Sequence, residues 1–150
     1  MDPFEISAGR PEDAPELAAV FLAARRTAMP WLPELHDEDD VCGYMAAHVL
    51  AKTTVFVARR NGSAIGFLGL AGGEIQHLYI RPDMQRAGIG SALMAEAKAR
   101  CPEGLELWVF ERNAAGRAFY AQHGFFELYR TDGRNNEERE PDVRLAWRAT

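Results

Sequence analysis

No stretch of the sequence approaches the ~18 to 20 consecutive apolar residues that a membrane-spanning helix needs. The longest early apolar stretch, Leu17 to Ala24, follows acids rather than the basic residues of a secretory leader. A cytoplasmic protein is expected, with no membrane partner. Cysteine is scarce: Cys42 and Cys101 stand far apart, outside any CxxC or Cys/His spacing, so neither a disulfide framework nor a metal site is indicated. A basic surplus is also lacking. With 17 Lys and Arg against 22 Asp and Glu, the net charge is -5, which argues against nucleic acid as a partner, because phosphate-backbone binding draws on clustered cations. Repeats, low-complexity tracts and dividing linkers are absent too. The 150 residues, 47% of them apolar, suffice for one core and read as a single domain over 1–150.

What is present is an ordered series of elements. Phe4 to Ser7 reads as a short strand, and Pro11, Glu12 and Asp13 open a helix with Leu17, Val20, Phe21 and Ala24 on one face. Pro30 and Pro33 break it, and a second helix is expected from about Asp37 to Leu50. Thr53 to Arg60 and Ala64 to Leu70 flank Asn61-Gly62, a strong hairpin signal. Glu74 to Arg81 is a strand. Gly88 to Arg100 is a helix that buries Ile89, Leu93, Met94 and Ala97, and Leu105 to Phe110 is a strand. Asn113 caps a helix that Gly124 ends, and Phe125 to Arg130 and Val143 to Arg148 supply two last strands. About seven strands, parallel and antiparallel, with about four helices make an α+β fold.

Acids gather in two places, Glu34 with Asp37 to Asp40, and Asp132 to Asp142. Each reads as a solvated loop; flanking a cleft, they would draw in a cation.

The most specific local pattern is Gln85-Arg86-Ala87-Gly88-Ile89-Gly90-Ser91, between a strand's end and a helix's start. The first turn of a helix has N–H groups without internal partners and a positive dipole end, which favour an anion. Gly88 and Gly90 would let phosphate approach the backbone, and Arg86 would add a cationic fork. The pattern is neither the G-x-G-x-x-G of dinucleotide folds nor a Walker loop. Taken alone, it reads first as a plain helix cap with packing glycines.

The run resembles the Q/R-x-x-G-x-G/A segment that holds the pyrophosphate of coenzyme A in the GNAT superfamily of N-acetyltransferases. About 25 residues later, Glu111 to Phe125 resembles that family's second motif, N-x-x-x-x-x-F-Y-x-x-x-G-F. The resemblance is specific from about Thr53 to Phe126. It implies that the fourth strand, Glu74 to Arg81, splays from the fifth, Leu105 to Phe110, leaving the backbone near Leu78, Tyr79 and Ile80 free to pair with the pantetheine amides of acetyl-CoA.

The same resemblance gives Asn113 a contact with the cofactor arm beside its capping role. It puts Tyr120 near the thioester sulfur as acid for the departing thiolate, a position that a core aromatic beside Phe119 would also explain. Glu74, eleven residues before Gln85, stands where histone-type members carry a glutamate base; a solvated strand-end acid is the plain reading. His77 is the second candidate base, facing away from Glu74 in a regular strand but not in a bulged one. Trp31 stands where acceptor walls form, or packs in the core, and His36, His48 and His123 read as surface or packing residues. The function implied is acetyl transfer from acetyl-CoA to a primary amine on a small molecule or peptide, without metal; the alternative is an acyl-CoA-sensing module without turnover. A homodimer is compatible with the sequence.

Overall fold

A computed structural model describes residues 3–85 and 87–149. One seven-stranded mixed sheet carries helices on both faces. The strands are β1 (Glu5–Ala8), β2 (Thr54–Arg60), β3 (Ser63–Ala71), β4 (Glu74–Ile80), β5 (Gly104–Phe110), β6 (Phe126–Thr131) and β7 (Asp142–Arg148). The helices are α1 (Ala14–Ala28), α2 (Glu38–Tyr44), α3 (Ile89–Arg100) and α4 (Ala114–Gln122). A 3-10 turn over Pro11–Asp13 leads into α1, and α2 runs on as π-helix over Met45–Leu50.

The sheet order is β1-β2-β3-β4-β5-β7-β6. The β2–β3 hairpin turns on Asn61 and Gly62, both with positive φ (53° and 81°), as a two-residue turn matched to the right-handed strand twist requires. The sheet divides two apolar clusters. On one face, Leu17 and Val20 of α1 and Met45 pack with Val57 and Phe67. On the other, Leu93, Met94 and Ala97 of α3 pack with Leu68, Ile75, Leu105 and Leu107. Leu17 and Leu93 are wholly buried, and each such side chain contributes about 2 kcal/mol. Beside α1, Asp13 accepts from Arg59 at 2.9 and 2.7 Å, a buried pair. That bidentate contact holds the Asp13 carboxyl below its usual range.

Two irregularities in β4 position the site. Between Ile75, opposite Leu70, and His77, opposite Gly69, Gln76 is an extra residue, and such a bulge changes the phase of side-chain alternation. Ile75 and Leu78, three apart, accordingly pack with the α3 cluster, while Tyr79 joins the α1 cluster. Glu74, opposite Ala71, then shares a face with His77. The second irregularity is the parallel contact with β5, confined to Glu74–Glu106 and Ile75–Leu107. Beyond that point the strands part.

Candidate active site

The fork between β4 and β5 opens into a cavity of about 540 Å³ whose walls include Leu78, Tyr79, Val109, Asn113 and Tyr120. A second cavity, about 760 Å³, lies against α1 and the segment that follows it, with Phe21, Pro33, Tyr44 and Trp108 among its walls. His77, Tyr79, Phe110 and Glu138 line both.

The bulge turns His77 toward α1 and α2. Its ring lies 5.8 Å from Tyr44 and 6.3 Å from Phe21, and Nε2 is 3.4 Å from the Tyr44 hydroxyl. Nδ1 is buried with no hydrogen-bond partner among the described residues. Desolvation, with the nearby Arg25 charge, pushes the His77 pKa down to about 4. The imidazole is therefore neutral at pH 7.

Tyr120 projects from α4 into the first cavity, its ring 5.4 Å from Phe119 and 5.6 Å from Phe125. It is both cavity wall and core neighbour. Burial raises its pKa, and so does neighbouring Tyr79; the hydroxyl keeps its proton at neutral pH. Asn113 caps α4 by accepting from the Gly116 N–H at 3.0 Å and lines the same cavity. The cap needs Gly116, since a Cβ there would stand 2.5 Å from Asn113 Nδ2.

Gln85, Ala87, Gly88, Ile89, Gly90 and Ser91 lead into α3 and line neither cavity; Arg86 lies outside the described residues. Gly88 is the N-cap with φ 82°, and a Cβ on it would meet nothing within 4 Å among the described residues. The first turn of α3 is thus open to an anion. Gly90 differs, because a Cβ there would come within 3.1 Å of Phe119; its smallness serves helix packing. Gln85 donates to the Ile80 carbonyl at 3.3 Å, tying the loop to the end of β4.

Glu74 lines neither cavity. It pairs with Arg144, whose Nε donates to Glu106 at 3.1 Å, so one guanidinium spans both strands at the fork. Trp31 lines neither cavity and backs one wall, 6.1 Å from Phe110 with the Arg112 guanidinium 4.3 Å over its ring.

The segment between β6 and β7, which in the sequence reads first as a solvated loop and otherwise as one flank of a cleft, lines the second cavity. Gly133, at φ 84°, lies so close to Glu140 that a Cβ would be 2.3 Å from its carbonyl carbon. Asn136 donates to the Glu140 carbonyl at 2.7 Å and accepts from its N–H at 3.2 Å. The ordered strap that results reaches α1, where Arg25 meets Glu138 at 3.0 Å, and His36, which meets Glu137. Glu34, Asp40, Glu137 and Glu138 all line the second cavity, so both acidic stretches flank it. His36 belongs to that wall as well. Only a tertiary contact could have shown this.

Among the described residues, no group of three or more His, Cys, Asp and Glu could hold a metal ion, and no helix is long and apolar enough to cross a membrane.

Among curated proteins none matches the chain. Solved structures do. YjaB of Escherichia coli in its apo form is 24% identical, with 99% of each chain covered and a TM-score of 0.81. The ribosomal-protein-S18-alanine N-acetyltransferase of Escherichia coli is 25% identical over 99% of this chain and 95% of that one, TM-score 0.68. The PaiA N-acetyltransferase of Thermoplasma acidophilum, solved in complex with coenzyme A, is 18% identical over 97% and 99%, TM-score 0.72. The acetyltransferase (GNAT) domain profile matches residues 51–127, from β2 through α4 to the start of β6. The chain belongs to the GNAT acetyltransferase family.

Proposed function

We propose that this protein transfers an acetyl group from acetyl-CoA directly to a primary amine. The observation that carries the reading is the β4–β5 fork, which opens beside Tyr120 and Asn113, with the loop before the uncapped first turn of α3 tied to the end of β4 by Gln85. β4 past Ile75 has no β5 partner, so an extended chain bearing amides can pair there as an added strand. The α3 turn, with the open side of Gly88, suits the pyrophosphate. The coenzyme A held by the Thermoplasma acidophilum relative supports the same donor. Bound acetyl-CoA would supply the activated thioester; Leu78, Tyr79, Ile80, Asn113 and the segment from Gln85 to Ser91 would hold it.

Direct attack by the amine on the thioester carbon releases a thiolate. Tyr120, kept protonated by burial, is the acid that delivers a proton to the sulfur. On the amine side, His77 faces both cavities but holds a proton weakly, and its orphan Nδ1 is suited to orienting a polar group. Glu74 shares its face, and from the fork a role as base would run through water. The S18 enzyme acetylates an alanine of a ribosomal protein, as its name states; an amine acceptor is the same chemistry. The test is an acetyl-CoA-dependent screen of an amine library with mass spectrometry of the products. N-acetylated product is expected, and acetyl-CoA binding without transfer to any amine would leave the sensing module in its place.

A further inference from the structure

Resting on that reading, a narrower assignment follows from the place where the two cavities meet. Among the described residues, seven belong to both linings, and Glu138 is the one carboxylate of the seven. Its side chain is 18% exposed and that of its partner Arg25 20%, so the pair is well shielded from solvent. The backbone around it is fixed: Arg139, next in sequence, has φ 57°, and the Asn136 bonds to Glu140 close the strap just behind. A non-glycine residue is held in the left-handed region only where surrounding contacts determine it. The rings of Phe21, Tyr44, Tyr79, Trp108 and Phe110 line the same second cavity as the carboxylate. Such rings attract a cation through their faces and pack on an apolar body through their area.

We propose that Glu138 receives the acceptor's ammonium group at this junction and takes its first proton, and that the acceptor is a cationic primary amine on an apolar or aromatic body. Glu138 then leaves Arg25 for the substrate's N–H groups, and Arg25, still 4.9 Å from the Phe21 centroid, keeps a cation–π contact. The ammonium gives one proton to the Glu138 carboxylate and becomes a neutral amine. Its lone pair forms the C–N bond at the thioester carbon, the C–S bond breaks, and the sulfur takes a proton from Tyr120. The second amine proton restores Tyr120 through water, and Glu138 returns its proton to solvent. Glu138, Tyr79 and Tyr120 all line the first cavity, so the carboxylate and the phenol open on the same space.

The experiment compares two nucleophiles of similar size, phenethylamine, cationic at neutral pH, and benzyloxyamine, already neutral there. Glu138→Gln should lose about 10²-fold or more in kcat/KM for phenethylamine. For benzyloxyamine, which needs no base, the loss should stay under about 10-fold, with the thermal shift by acetyl-CoA unchanged and Glu138→Asp restoring part of the phenethylamine rate. Equal losses for both nucleophiles, or no loss, would overturn the assignment and leave acetyl transfer standing. Arg25→Gln breaks the same ion pair but keeps the carboxylate; a phenethylamine loss as large as that of Glu138→Gln would reduce Glu138 to a clasp and overturn it likewise. If wild-type protein binds acetyl-CoA yet transfers to neither nucleophile, the acetyltransfer reading fails for this acceptor class and the assignment fails with it.

Discussion

Gly90 in the first turn of α3 lies against the Phe119 ring of α4, so close that a Cβ would stand 3.1 Å from Cε1 and 3.2 Å from Cζ. The first turn of α3 and the helix α4 therefore approach each other at a glycine. Gly90→Val should cost about 1 to 3 kcal/mol of stability by overpacking this contact. Urea unfolding of the variant checks it. An unchanged midpoint would show that Phe119 yields freely.

His77 makes stability depend on pH. Its folded pKa, about 4, lies below the ordinary 6.5, so protonation favours the unfolded chain. The contribution is fully present above pH 6.5 and is lost as pH falls from 6.5 through 4. A shift of that size corresponds to on the order of 3 kcal/mol. His77→Gln should flatten this part of the profile of unfolding free energy against pH. The same slope in the variant would assign the titration elsewhere.

Much of this architecture is legible in the sequence, for local reasons. Asn61-Gly62 specifies a turn with two positive φ angles, and both occur. The apolar period in α3 predicts Ile89, Leu93, Met94 and Ala97 as its buried face, and all four are buried. What the sequence does not show depends on contacts distant along the chain. The insertion of β7 between β5 and β6 leaves no local mark, because both neighbours pair with it antiparallel. The bulge at Gln76 has no glycine to announce it, yet it decides which face His77 takes. Glu137 and Glu138 look like solvated acids until Gly133 and Asn136 fold the strap toward α1. Gly88 and Gly90 look alike in the motif and part in the structure, one open to solvent and one pressed on an aromatic ring.

Tyr120→Phe isolates the acid. The substitution keeps the ring and its contacts with Phe119 and Phe125, so stability and acetyl-CoA affinity should hold. Transfer should slow by on the order of 10²-fold where protonation of the thiolate limits the rate. Single-turnover kinetics are the proper measurement, because slow product release would mask the loss in kcat. Full single-turnover transfer by a folded variant would return Tyr120 to the core and make water the proton source.

The central claim is that the fork and the α3 turn bind acetyl-CoA, and the most direct measurement is thermal unfolding with and without it. A ligand bound only by the folded chain stabilises by RT ln(1 + [L]/Kd), about 2.7 kcal/mol at a hundredfold excess over Kd. The midpoint should rise with acetyl-CoA and with CoA. In Gly88→Val, whose new side chain would stand in the open space before the first turn of α3, the rise should be largely lost. No rise for the wild-type protein at millimolar acetyl-CoA would contradict the account.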